Sequence, residues 1–236
     1  MKSNVALGTR RLSLLIAALV LTRALSSPAA NVPFTETFAN DAANWHDPSG
    51  SSVLNWTSSG GPDGSSFAFT TFNFGSLAAG ATPVLFRAQD EFGSSGGAFQ
   101  GNWIGDGVTT FSAQVRQDSG SPLTFFTRFA APANFPGATA INFAPVPSGV
   151  WTPITFIINP ASPQFVSFEG TDFGTVFSNI GHLQIGVSVP QALAHGTPDF
   201  TFAIDNVSIV PEPATMLLLV PGMALCLRTL RRRTAS

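Results

Sequence analysis

The sequence predicts an all-β fold, an antiparallel β-sandwich occupying the middle of the chain. Three observations lead there. Apolar residues in this region recur at period two, and helical periodicity is almost missing. The runs are short and are separated by Gly-, Ser-, Pro- and Asn-rich clusters that mark turns. Phe is abundant, at 22 of 236 residues, and aromatic and β-branched side chains favour pleated, half-buried surfaces.

The strands follow in order. Phe34-Thr35-Glu36-Thr37-Phe38 is a short early strand. Ser66 to Phe74 alternates with one slip: Phe67 and Phe69 share one face, Phe72 and Phe74 the other. A bulge at Thr70-Thr71 would gather all four on one side; without it, both faces of the strand are covered. Val108–Gln117 and Leu123–Ala130, joined by Asp118 to Pro122, read as a hairpin. Ala138–Phe143, Trp151–Ile158, Phe165–Phe168, His182–Val189 and Phe200–Ile209 complete the set. Gly75–Pro83 and Gln191–Pro198 are longer connections, and no internal repeat is visible.

The two ends are of a different kind. Lys2, Arg10 and Arg11 precede the apolar run Leu12–Leu21, and the small residues Ser26 to Ala30 follow, which is the pattern of a cleaved secretory signal. At the other end Ala214–Leu227 is uncharged and is followed by Arg228 and Arg231-Arg232-Arg233. That run is shorter than the about 20 residues of a comfortable span, and local thinning of the bilayer accommodates such a mismatch. Pro221-Gly222 within it suits a membrane helix better than a soluble one. The arginines place the last residues in the cytoplasm and everything before Pro211 outside. Three segments result: a signal peptide at 1–30, a β-sandwich domain at 31–209 and a sorting segment at 210–236. The sandwich is thus expected between an N-terminal signal helix and a C-terminal transmembrane helix.

Val210-Pro211-Glu212-Pro213-Ala214-Thr215, an apolar stretch and a terminal Arg cluster together resemble a PEP-CTERM sorting signal. The resemblance covers Val210 to Ser236. It implies that an integral-membrane exosortase cuts near the motif and releases or re-attaches the protein. It makes Val210, Pro211, Glu212 and Pro213 the recognition residues and Arg231, Arg232 and Arg233 the retention signal. It also implies a Gram-negative cell that makes exopolysaccharide. Two prolines keep this junction extended, because Pro fixes φ and restricts its predecessor.

Composition narrows the function classes. Residues 31–209 carry twelve acidic side chains against Arg87, Arg116 and Arg128, a net charge of −9. The basic footprint of a nucleic-acid binder is absent, and cations are favoured over anionic partners in general. The only cysteine, Cys226, lies in the C-terminal apolar run. No intrachain disulfide can form, so stability rests on packing, with or without a metal.

Phe34 to Phe38, Phe99-Gln100-Gly101-Asn102-Trp103 and Ala203-Ile204-Asp205-Asn206-Val207 resemble segments of the jelly-roll sandwiches of carbohydrate-binding modules and galactose-binding-like domains. The likeness is one of fold, which does not fix function. Such modules hold a structural Ca²⁺ between first and last strands, and Glu36 and Asp205 occupy those places here. Calcium takes six to eight oxygens, and Asp41, Asp47 and Asp63 are further donors. Equally, Asp205-Asn206 has the composition of a pair that bonds nearby backbone.

No catalytic constellation stands out. His46, His182 and His195 follow no metal-ligand spacing, there is no G-x-S-x-G elbow, and the adjacent Asp90 and Glu91 point apart on a strand or sit in a solvated loop. Trp45, Trp56, Trp103 and Trp151 lie near loops, as sugar platforms do, although core packing is the commoner role. The sequon Asn55-Trp56-Thr57 is accidental in a bacterial context. The expected protein is an exported, non-enzymatic component of the envelope or extracellular matrix that binds or resides in polysaccharide. A glycan-active enzyme, needing two carboxylates across a groove, and a purely structural or adhesive component are the rivals.

Overall fold

The structure, a computed structural model, describes residues 29–211. The predicted signal helix, transmembrane helix, Glu212, Pro213 and Arg231 to Arg233 lie outside the described residues. Within them, no helix is long and apolar enough to cross a membrane.

Eleven strands form two antiparallel sheets packed face to face. They are β1 (Phe34–Glu36), β2 (Asn55–Thr57), β3 (Phe67–Phe72), β4 (Val84–Gln89), β5 (Val108–Gln117) and β6 (Thr124–Ala130), then β7 (Gly137–Ile141), β8 (Thr152–Ile157), β9 (Phe165–Ser167), β10 (His182–Ser188) and β11 (Phe200–Pro211). The first sheet runs β2-β3-β11-β5-β8, with β1 also paired to β11; the second runs β4-β10-β6-β7-β9. Besides two 3-10 turns at Asp90–Phe92 and Ser94–Gly97, the described residues hold one short α-helix, α1 (Phe173–Phe177), capped by Asp172, whose carboxylate accepts the Thr175 N–H at 2.7 Å.

The two inner faces interdigitate through aromatic rings, as the period-two pattern requires. The first sheet contributes Phe111, Phe156, Phe202 and Ile204; the second contributes Phe125, Phe129, Leu183 and Ile185, all buried. Phe129 is the hub. Its ring centroid lies 5.4 Å from Phe111, 5.5 Å from Trp103 and 5.2 Å from Phe177. Trp103 closes this end from the 98–107 loop, its indole N–H donating to the Phe99 carbonyl at 2.8 Å.

The structure corrects one expectation, decides between two open alternatives and adds a strand. The β5–β6 segment is not a hairpin: β5 pairs with β11 and β8, while β6 pairs with β10 and β7. Both strands have one apolar face, and facing each other across the core buries both. The Asp118 to Pro122 link is therefore an arch between sheets, anchored by Gln117 Nε2 donating to the Ser121 and Val146 carbonyls. There is no bulge at Thr70-Thr71, since β3 keeps an unbroken register from Phe72↔Phe200 to Ala68↔Ile204. Phe67 and Phe69 consequently stay on the outer face, covered by Trp151 at 5.3 Å from Phe67. Finally, β4 lies in a stretch without clean alternation, because Leu85 and Phe86 are both fully buried.

Replacing Phe129 by Ala should cost about 3–5 kcal/mol in urea unfolding. Val166→Ala, at a side chain 54% exposed, should change stability by no more than about 0.5 kcal/mol. Equal losses would refute the central role of the Phe129 cluster.

Candidate functional site

The motif residues Val210 and Pro211 fall inside β11, paired with Thr110 and Val108 of β5. Thr109 Oγ1 also donates to the Val210 carbonyl at 3.4 Å. The strand thus runs two residues past the expected domain end at Ile209. Pro211, which has no N–H to give, is its last residue, where a ladder tolerates proline.

Glu36 and Asp205 lie on the paired strands β1 and β11, beside an irregularity in β11. Glu36 is opposite Val207, and the β11–β5 register shifts between Asp205 and Ser208, with Asn206 at φ 48°. One extra residue on β11 there makes a bulge. Asp205 is fully buried on the outer side of the sheet under the 58–66 loop. Its carboxylate accepts the Ser65 hydroxyl at 2.9 Å and the Asn206 N–H at 2.7 Å. Gly61 makes that lid possible, since a Cβ there would meet Ser65 Oγ at 2.3 Å. Glu36 Oε1 accepts the Phe38 N–H at 2.9 Å. Burial pushes the Asp205 carboxyl above the usual aspartate range, and the charges of Glu36 and Asp63 push the same way.

The ion pairs among the described residues, Arg128–Glu169 and His182–Glu91, leave Asp205 unpaired. A cation would relieve that buried charge, so the local chemistry fits a calcium ion in this respect. Side chains alone do not make a cage, however: among the described residues no three His, Cys, Asp or Glu are grouped to hold a metal. Asp41 lines a neighbouring cleft of about 340 Å³ with Glu36, Asn40 and Asn44, while its own carboxylate accepts the Ala43 N–H at 2.7 Å. Asp47 is taken up by Ser49 at 2.7 Å.

The histidines remain apart. His46 stacks on Phe92, and His195 is exposed in a loop. His182 is buried, its Nε2 lying 2.9 Å from the Pro132 carbonyl and 3.0 Å from Glu91. Desolvation pulls its pKa down against the opposing charge of Glu91. Trp45 and Trp103 are fully buried. Trp56 donates to the Phe38 carbonyl at 2.6 Å and Trp151 to the Gly60 carbonyl at 3.0 Å, so none of the four is an unattached platform.

The most developed polar surface is one the sequence reading did not single out, the outer face of the second sheet. Register places Arg87, Gln184, Arg128, Thr139 and Ser167 side by side across β4, β10, β6, β7 and β9. Their neighbours along each strand, such as Leu183 and Phe129, point into the core, so the pleat turns this row outward. Arg128 organises it. Nε and Nη2 grip Glu169 at 2.5 and 2.8 Å. Nη1 donates to Asn134 Oδ1 at 2.7 Å and Gln184 Oε1 at 3.1 Å, and Nη2 to the Asn134 carbonyl at 2.7 Å. All five N–H groups of the fork are thereby used. Asn134 offers both oxygens because it sits at φ 59°, a region Asn tolerates. Gly137 leaves the space, since a Cβ there would stand 2.8 Å from Arg128 Nη2. The guanidinium holds the Glu169 carboxyl below its ordinary range.

Two aromatic rings stand near the row, one on the β6–β7 connection and one beside its Arg87 end. Phe135, adjacent to Asn134, is 64% exposed. At the Arg87 end Phe92 stacks on His46, with ring centroids 3.7 Å apart and planes 7° apart. The middle of the row is a closed network, with Gln184 buried and the Arg128 donors all engaged, so its unused hydrogen-bonding capacity lies at the Arg87 end.

No protein-family model matches the sequence, and no curated protein does. Among solved structures the chain is similar to an exo-β-agarase, at 12% identity and a TM-score of 0.51, over 77% of this chain and 26% of that one. It is also similar to the N-terminal modules of a Clostridium thermocellum endo-1,4-β-D-xylanase complexed with xylohexaose, at 12% identity and a TM-score of 0.46, over 76% and 28%. A third is the C-terminal family 22 carbohydrate-binding module of a Clostridium thermocellum protein, at 14% identity and a TM-score of 0.41, over 78% and 97%. The chain spans about a quarter of the agarase and of the xylanase. At these identities the likeness is one of fold, a two-sheet antiparallel sandwich.

Removing the Glu169 charge with Glu169→Gln should cost about 1–3 kcal/mol at pH 7, since it breaks a charge-assisted pair to a largely buried guanidinium. Glu169 titrates below its ordinary value of 4.5 in the folded protein. Its stabilisation is present above that value and lost as pH falls through the depressed one. The gap between wild type and variant in urea titrations should therefore narrow below pH 4.5. A gap that is constant with pH would refute the assignment.

Proposed function

We propose that this chain is an exported, non-catalytic glycan-binding protein whose binding face is the outer surface of the second sheet. The observation that carries the reading is the pre-organised row Arg87–Gln184–Arg128, flanked by Phe92 and Phe135. A floor with all five Arg128 donors already engaged does not reorganise on binding, which reduces the ordering cost of association. Solved proteins similar in fold include an agarase and a carbohydrate-binding module by name, although fold by itself does not assign function. The sandwich is read as jelly-roll-like on the same footing.

Binding rather than turnover is favoured by the state of Glu169. A general acid needs a raised pKa, and this carboxylate is held down by a bidentate arginine. Export by the N-terminal signal and processing by an exosortase at Val210, Pro211, Glu212 and Pro213, with Arg231 to Arg233 as retention signal, complete the proposal. The mature protein would reside in the cell envelope or in extracellular polysaccharide after transient anchoring in the inner membrane. A structural calcium at Glu36 and Asp205 belongs to the proposal too, because it would offset the buried Asp205 charge.

Two outcomes are expected. On a glycan array the wild-type chain should retain specific polysaccharides without cleaving them. Phe135→Ala, at an exposed ring, should weaken retention about tenfold, equivalent to about 1.4 kcal/mol, with an unchanged melting temperature. An array without hits, or release of shortened sugars, would overturn glycan binding without catalysis. Separately, EDTA should lower the melting temperature of wild type, and calcium should restore it. Asp205→Asn should melt at the same temperature with either addition. Wild-type melting that ignores EDTA would remove calcium from the account.

A further inference from the structure

Two of the domain's three cationic side chains stand on this one face, in a domain of net charge −9, and they are in opposite states. Arg128 has no donor left. Arg87 uses one: its Nε donates to the Pro48 carbonyl at 3.1 Å. Its Nη groups make no hydrogen bond to the described residues, and no carboxylate among those residues lies within ion-pair distance of it. Asp47 and Glu91 act on it only at longer range. Both are engaged elsewhere, Asp47 with Ser49 and Glu91 with His182.

The side chain is half-buried and fixed rather than waving in solvent. A Cβ at Gly50 would lie 3.6 Å from Arg87 Cδ and 3.9 Å from Phe92 Cζ, so guanidinium stem and aromatic ring are neighbours over that glycine. Arg87 also faces Gln184 across the β4–β10 ladder. Burial without a bonded anion disfavours the charged form, and it pulls the Arg87 pKa down. A free, oriented fork beside a ring is the arrangement that binds a planar carboxylate through two parallel N–H donors.

We propose that the ligand of this face is an acidic polysaccharide, with the Nη edge of Arg87 clamping a uronate carboxylate while Phe92 meets the sugar ring. This deepens the glycan-binding reading and rests on it. It also runs against the domain's overall charge: the global field disfavours polyanions, so acid recognition is local and short-range.

The test uses the full chain and three matched pairs of polysaccharide: polygalacturonate, alginate and polyglucuronate, each beside its carboxyl-reduced neutral form. Wild type should bind at least one acidic form about tenfold or more tightly than its neutral counterpart. Arg87→Gln should abolish that preference. Arg87→Lys, which keeps the charge and loses the planar fork, should recover only part of it. Melting curves of both variants show that they are folded, and a binding loss confined to the acidic form excludes general damage. Equal binding of acidic and neutral forms, or an acid preference that survives in Arg87→Gln, overturns the inference and leaves glycan binding standing. Binding only to neutral glycans on the array does the same. No binding to any glycan overturns both.

Discussion

The seam of aromatic rings between the two sheets is the constraint from which the rest follows. The folded region has no cysteine, so nothing covalent holds the sheets together. Phe111 and Phe156 from one sheet meet Phe129 from the other, with Trp103 and Phe177 closing the cluster. Because a strand alternates its side chains, fixing Phe129 and Leu183 inward fixes Arg128 and Gln184 outward. A slip of one residue would invert both the core and the polar face. The polar row is therefore a consequence of the core's register and needs no loop to create it.

That row is built as a rigid floor with one free end. Arg128 is saturated by Glu169, Asn134 and Gln184, and Gly137 is bare so that the guanidinium fits. A satisfied network of this kind specifies one geometry, whereas a partly satisfied one would carry the desolvation cost of each orphaned group. Arg87 is the exception, a guanidinium with donors to spare next to an aromatic ring. The two arginines, one on each side of Gln184, thus differ in whether they keep free donors.

The strand β11 links the domain to its C-terminal segment. It is central in the first sheet, it carries the buried Asp205 in its bulge, and it ends at Pro211. The motif that begins at Val210 is thus continuous with the sheet, with no spacer between the folded domain and Glu212. The exposed, extended character expected of the whole motif holds in part: Val210 is 40% exposed, but Val210 and Pro211 are held in the β5 ladder.

Sequence by itself determined the fold class, the position of most strands and the charge balance. Period-two alternation in β5 and β8 reflects one buried and one open face, and such a pattern is local. It also named Glu36 and Asp205, which lie on the paired strands β1 and β11, with Glu36 opposite Val207. It failed at β4, buried on both faces and so without alternation, and at the β5–β6 link, where an arch and a hairpin have the same composition. Only the tertiary structure assembled the polar row. Arg87, Gln184, Arg128 and Glu169 are scattered over more than eighty residues of chain, and no spacing rule relates them. They become one surface because antiparallel registers align their rungs, and which of two arginines keeps free donors depends on partners that the pairing alone supplies.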